Sequence, residues 1–254
     1  MSRHMARETN GHAAVAERAL QIYLLGMLDF EAALSFQRRL QYEIGEARSQ
    51  AALILCEHAP LITVGRQGSR SHILCEPEEL QLRDWRVRWV NRGGGCVLHQ
   101  PGQLALYPIF PLDDMALSPE AYVENLGKLI QDFLAEFDVP GRIDVSPRGV
   151  WVGQRPLAGI GVAVRQWITY YGAYINIHPD LELQRLVRWG NRRTEPMTSL
   201  ERERKGRVRP ALVRERLVEL VRQRFGFSRV SLFTDHPTLK GFVDRCQAQR
   251  VSAV

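Results

Sequence analysis

From residue 92 to residue 108 the chain reads Arg-Gly-Gly-Gly-Cys-Val-Leu-His-Gln-Pro-Gly-Gln-Leu-Ala-Leu-Tyr-Pro, and most of its chemistry is gathered there. Gly93, Gly94 and Gly95 remove every Cβ from one stretch of backbone, so a ligand can lie directly against the main chain. Arg92, at the mouth of that stretch, is suited to contact a ligand carboxylate or to close the turn. His99 can orient a polar group of a ligand or make a structural hydrogen bond. Cys96 carries a thiol that His99 could deprotonate into a nucleophile. Strand alternation argues otherwise: the two are three positions apart, which puts them on opposite faces and makes Cys96 a small lining residue.

The flanks must hold these groups in place. Trp85 to Asn91 alternates as a strand does, and after a Pro101-Gly102 turn a second apolar run extends from Leu104 to Phe110. Strand, bare turn, His and strand together predict a hairpin that cradles an extended ligand.

Bulk properties bound the rest. A chain of 254 residues with 45% apolar composition can bury a sizeable core, and one domain is expected. No apolar run approaches the ~20 residues of a membrane helix, and the polar stretch Met1–Ala14 lacks a secretory core. Cys56, Cys75, Cys96 and Cys246 are widely spaced with no CxxC pair, which argues against zinc or a disulfide framework and for a reducing, cytoplasmic setting. Between Glu182 and Arg216 eleven basic residues, Arg192 and Arg193 among them, face five acidic ones; that excess equals the net charge of +6 for the whole chain. Such a stripe is either a solvated face or a dock for an acidic protein domain; without interleaved aromatics it is a poor nucleic-acid surface.

Coarse periodicity predicts strands at 19–25, 51–56, 61–64, 85–91, 149–152, 157–164 and 167–177, two of the last three forming a hairpin. Helices are predicted from an Asp29 cap to Glu46, around Pro77–Leu82, from Ser118-Pro119 to about Phe137, and over Pro210–Phe225. The expected architecture is α+β, a mixed β-sheet core flanked by helices. Residues 1–17 are expected to be a disordered leader, 18–227 the domain, and 228–254 a C-terminal extension without clear period.

The order Glu57-His58-Ala59-Pro60, Val64-Gly65-Arg66, Arg92-Gly93-Gly94 with His99-Gln100-Pro101-Gly102-Gln103, and Tyr107-Pro108 resembles the lipoyl(octanoyl) transferase family. The likeness continues through Gly149-Val150-Trp151-Val152, Ala158-Gly159-Ile160-Gly161-Val162, Asn176 with Asp180-Leu181, and Met197-Thr198-Ser199-Leu200, covering roughly residues 20–226. It implies a biotin/lipoate-protein-ligase-like catalytic domain. It also implies transfer of an eight-carbon acyl group from acyl carrier protein to a lysine of a lipoyl domain. The octanoyl or lipoyl group is then the ligand, with no further cofactor and no metal. The acyl-binding positions it points to are Arg92, Gly93, Gly94, Gly95, Cys96, Val97, Leu98 and His99 on one segment, and Gly159, Ile160, Gly161, Gly172, Ala173 and Tyr174 on another.

At the reacting positions the match departs. That family uses a cysteine thiolate whose pKa a lysine lowers. The lysine position is here Pro156, and the cysteine position is Gly190, or Trp189 with a one-residue slip. Arg155, beside Pro156, supplies charge but cannot accept a proton. A family histidine is replaced by Tyr171, which is placed to fill the space left behind; Trp189 either plugs the site likewise or is ordinary core. Cys96 is then the possible substitute nucleophile; Cys56 reads as core, Cys75 and Ser146 have no activating neighbour, and Cys246 lies outside the resembling region. Two functions follow: an acyltransferase working by direct transfer or a relocated nucleophile, or a non-catalytic binder of an acyl group or lipoyl domain. ATP-dependent ligation lacks a P-loop motif. The expected partners are acyl carrier protein and lipoyl-domain proteins, with neither membrane nor nucleic acid.

Overall fold

The structure, a computed structural model, describes residues 18–146, 148–188 and 196–239. Its larger sheet has eight strands. In spatial order they are Arg229–Phe233 (β11), Ala19–Met27 (β1), Gln50–Glu57 (β2), Gln103–Ile109 (β6), Ile168–Asn176 (β10), Arg155–Arg165 (β9), Arg148–Val152 (β8) and Arg142–Val145 (β7). The β11–β1 and β1–β2 pairs are parallel and the rest antiparallel, so the sheet is mixed as expected. A smaller sheet holds Arg86–Trp89 (β4), Leu61–Val64 (β3) and Cys96–His99 (β5), with β3 in the middle.

Helix Phe30–Glu46 (α1) starts where Asp29 Oδ1 accepts the Ala32 amide at 3.0 Å. Its apolar stripe, Ala33, Phe36, Leu40 and Ile44, packs on one face of the larger sheet against Ile54, Ala105 and Ile109. Helix Pro119–Ala135 (α3) begins with Ser118 Oγ accepting the Ala121 amide at 3.1 Å and proline in the first turn. With Pro210–Phe225 (α6) it covers the other face, where Leu126, Ile130, Phe133, Leu217 and Val221 meet Leu53, Leu106 and Ile175. Short helices Pro77–Leu82 (α2), Leu181–Gln184 (α4) and Leu200–Arg204 (α5) complete the described elements used below. None of the described helices is long and apolar enough to cross a membrane.

The hairpin expected around the glycines does not form. β4 and β5 both pair with β3, one parallel and one antiparallel, and β6 lies in the other sheet. Buried apolar residues on both faces of β3 and β5 demand a layer on each side, which a two-stranded hairpin cannot give. The glycines therefore carry the chain past β3, from one edge strand of the smaller sheet to the other, instead of turning back on themselves. Two strands, β7 and β11, alternate over only four or five residues, too short a run to predict. The second lies past the boundary expected at 227 and pairs with β1 from Ala19↔Arg229 to Tyr23↔Phe233, so the sheet itself runs on to residue 233. The leader 1–17 lies outside the described residues.

Candidate functional site

A slot opens between the β9–β10 hairpin of the larger sheet and β5 of the smaller one. It encloses about 520 Å3 including its mouth. Its walls are Phe30 from α1; Arg92, Gly94 and Gly95 from the glycine segment; Val97 and His99 from β5; and Tyr107 from β6. Arg148 from β8, Gly159, Ile160 and Gly161 from β9, and Tyr171, Gly172, Ala173 and Tyr174 from β10 close it.

The slot exists because β10 leaves β6 partway. Their pairing runs from Asn176↔Gln103 to Ala173↔Leu106 and then stops, since Pro108 has no amide hydrogen to offer. Thr169 bridges the gap further on: its hydroxyl donates to Pro108 O at 2.8 Å and accepts the Phe110 amide at 2.9 Å. Between these points Tyr171 takes a left-handed backbone conformation, φ +55°, a strained arrangement of the kind found at ligand sites. Across the slot, Gly93 donates its amide to Val162 O at 3.1 Å, while Gly95 O and Gly94 O accept from Gly65 and Gln67. A Cβ on Gly161 would lie 2.6 Å from Gly93 O and 3.2 Å from Arg92 Cδ, so only glycine lets this segment rest on β9.

Strand parity sorts the expected ligand contacts. Val97 and His99 face the slot, whereas Cys96 and Leu98 face away into an apolar cluster with Ile62, Val64 and Trp85. Gly93 lies on the neighbouring, wider groove that Arg66, Ser146 and Val162 line. Phe30, Tyr107, Tyr171 and Arg148 are slot residues that nothing along the chain groups with the others as ligand contacts. Their positions depend on sheet pairing; Tyr107 carries a signal as part of the Tyr107-Pro108 motif, and Tyr171 as the departure from the family histidine.

The idea of Cys96 as nucleophile is corrected by this geometry. Its Sγ lies 3.4 Å from Ser69 O, turned away from the slot, and burial raises its pKa. His99 cannot serve it as base, because both ring nitrogens are engaged. Arg92 Nη2 donates to Thr63 Oγ1 at 2.7 Å, which leaves the threonine hydrogen for His99 Nε2 at 3.0 Å. The histidine also hydrogen bonds the Gln103 side chain, and Gln103 Nε2 donates to Asn176 Oδ1 at 3.0 Å. Asn176 Nδ2 in turn donates to Thr198 O at 3.1 Å. Cys96→Ser is accordingly expected to keep acyl transfer within about two-fold of the parent rate while lowering stability by about 1 kcal/mol, the usual size for a buried polar change. Initial rates and thermal unfolding check both.

A second histidine sits behind the slot wall. His58 Nδ1 lies 2.7 Å from Leu28 O, which can only accept, so the proton is on Nδ1 and Nε2 accepts from Tyr107 Oη at 2.8 Å. Burial lowers the pKa of His58 to about 4, and that of His99 well below its ordinary value. Both rings are therefore neutral at pH 7. Arg92 is the opposite case. Its guanidinium is buried and donates to Gly93 O at 2.9 Å, Thr63 O at 3.1 Å and Thr63 Oγ1, yet no carboxylate among the described residues pairs with it. A buried cation without a counter-ion at a slot wall is a place for negative charge to arrive.

Elsewhere, Pro156 is buried in β9 opposite Trp151, its carbonyl accepting the Thr198 amide at 3.0 Å. Arg155 beside it pairs with Glu203 at 2.9 Å, away from the slot. Cys56 and Cys75 are buried, unbonded to one another or to Cys96. Gly190, Trp189, Arg192, Arg193 and Cys246 lie outside the described residues. The rest of the basic stripe is divided among α5, α6 and the residues that follow α4 and α5, and is partly neutralised, Arg185 by Glu182 and Arg216 by Glu136.

A family model for the lipoyl protein ligase A/B catalytic domain matches residues 29–222. An octanoyltransferase of Geotalea uraniireducens is 34% identical over 198 residues, covering 78% of this chain and 89% of that protein. One from Porphyromonas gingivalis is 31% identical over 212 residues; the match covers 79% of this chain and 43% of that longer protein. A crystal structure of lipoate-protein ligase A bound with ATP superposes with a TM-score of 0.64 at 17% identity, covering 90% of this chain and 93% of that one. This likeness of fold agrees with the α+β ligase-like architecture expected from sequence. Taken with the glycine-lined slot, these matches show that the chain belongs to the lipoyl protein ligase A/B catalytic-domain family.

Proposed function

We propose that this protein is an acyltransferase of lipoate biosynthesis. It holds the octanoyl (or lipoyl) chain of an acyl carrier protein thioester in the slot and passes it to a lysine of a lipoyl domain. The observation that carries this reading is the slot itself: apolar Phe30, Val97, Ile160 and Ala173 beside bare glycine backbone, with the unpaired Arg92 guanidinium on its wall. Hydrocarbon suits the first set, and a polarised carbonyl suits the second. The relatives named as octanoyltransferases support the same chemistry. Three buried free cysteines fit a reducing cytoplasm.

The covalent relay of the family does not fit these residues. Pro156 has no amine to lower a thiol pKa, and neither Trp189 nor Gly190 has a thiol. Transfer then proceeds directly: the lipoyl-domain amine attacks the bound thioester carbonyl, the C–N bond forms, and the C–S bond breaks. No acyl group rests on the protein between the two substrates.

Octanoyl-acyl carrier protein and an apo lipoyl domain, mixed with this protein, are expected to give octanoylated lipoyl domain, while its own intact mass stays unchanged. Growth of a lipoate-auxotrophic host lacking its own transferase should be restored. An octanoyl adduct on this chain would overturn the direct route. Absence of both transfer and complementation would overturn the acyltransferase reading, and tight acyl binding without transfer would leave a carrier.

A further inference from the structure

One polar atom in the slot is left unused by the rest of the protein. Tyr174 is 6% exposed, and its hydroxyl is buried without a hydrogen-bond partner. Burying such a group unpaired costs about 1–3 kcal/mol, so its retention calls for something that arrives to pair with it.

The chain makes room for this hydroxyl. Tyr174 stands opposite Gly159 in the β9–β10 register. A Cβ on Gly159 would come within 2.5 Å of Tyr174 Cε1 and 2.8 Å of Oη, so the ring occupies the space a side chain there would need. Val97, Trp151 and Met197 pack around the ring, and His99 meets it edge-on at 6.4 Å. The ring is thus fixed, and Tyr174 forms part of the slot wall. Arg92 lines the same slot, and its charge reaches the hydroxyl. Desolvation keeps the phenol protonated, so it can only act as donor when an oxygen approaches.

We propose that Tyr174 Oη and the Arg92 guanidinium together hold the carbonyl oxygen of the acyl thioester and carry the negative charge it gains during transfer. The inference rests on the acyl reading above and assigns the group that does the work in the absence of a covalent relay. In the step, a neutral lysine amine attacks the carbonyl carbon and the C=O π pair moves onto oxygen, between the two donors. Collapse restores C=O and expels the sulfur, which leaves as thiol after taking the proton lost by the nitrogen. The products are an amide and a thiol, with no redox change.

Tyr174→Phe keeps the ring and removes only the donor. With octanoyl-acyl carrier protein and a lipoyl domain, kcat is expected to fall about 10–100-fold, the worth of one hydrogen bond to a developing charge, with KM within about two-fold. The second readout needs no turnover. The carbonyl stretch of S-octanoyl-pantetheine labelled with 13C at the carbonyl should move to lower wavenumber on binding and return towards its solution value in Tyr174→Phe. A variant that keeps the parent kcat, or a bound carbonyl band identical in both proteins, overturns the role of Tyr174 and leaves the acyl reading standing. Should the thioester fail to bind the parent protein at all, the acyl reading falls and this proposal with it. If it binds but is not transferred, the band decides.

Discussion

Acidification from pH 6.5 to about 4 is expected to remove about 3 kcal/mol of folding stability through His58 alone. In the folded chain this ring is neutral, locked between Leu28 O and the Tyr107 hydroxyl, and burial holds its pKa near 4. In the unfolded chain it titrates near 6.5. Across that window the unfolded state binds the extra proton, so stability is complete above 6.5, declines as pH falls, and levels off below 4. His99 is depressed in the same direction and steepens the decline. The measurement is urea unfolding at a series of pH values, compared with His58→Gln. Glutamine can donate to Leu28 O and accept from Tyr107, so the variant should fold while losing this share of the slope. An unchanged slope in His58→Gln would show that the ring is not held neutral. Function should follow stability, since a charged His58 can no longer accept from Tyr107, a residue of the slot wall.

Much of this arrangement is legible in the order of residues alone. The Asp29 and Ser118 caps place α1 and α3, and Pro77–Leu82 and Pro210–Phe225 begin and end as their proline and apolar spacing imply. These signals are local, since a cap and a 3.6-residue stripe need no knowledge of distant chain. The glycine segment is legible as bare backbone but not as a crossover. Whether β5 turns back on β4 or joins β3 depends on pairing across more than thirty residues, as Leu61↔His99 illustrates. Parity is the reliable guide: odd spacing puts Cys96 and His99 on opposite faces, and the fold sends the thiol into apolar packing.

Other features have no signal along the chain. Gly159 and Tyr174 are fifteen positions apart, and only the β9–β10 register reveals that one clears space for the ring of the other. The chain from Arg92 through Thr63, His99, Gln103 and Asn176 to Thr198 likewise joins distant segments, each an ordinary polar residue when read alone. β11 alternates as Arg229-Val230-Ser231-Leu232, but over five exposed residues that is too short a run to stand out.

Arg92→Met is expected to separate activity from stability. Enclosing a guanidinium costs several kcal/mol, and no carboxylate among the described residues offsets it. Its hydrogen bonds to Gly93 O, Thr63 O and Thr63 Oγ1 return part of that cost. Methionine has similar length, fills the space with apolar atoms, and removes the desolvation penalty. It also leaves two buried carbonyls without these donors, at about 1–3 kcal/mol each, so the opposing changes nearly cancel. Unfolding free energy should therefore stay within about 2 kcal/mol of the parent value, on either side. Transfer should fall about 100–1000-fold, as when a preorganised charge is withdrawn from a developing oxyanion. A merely structural arginine would show the reverse, with stability and activity declining together. Chemical unfolding and initial rates on the same preparation decide the matter: a stable variant with undiminished transfer removes Arg92 from the chemistry, and a stable but inactive one places the cation where the thioester oxygen takes up charge.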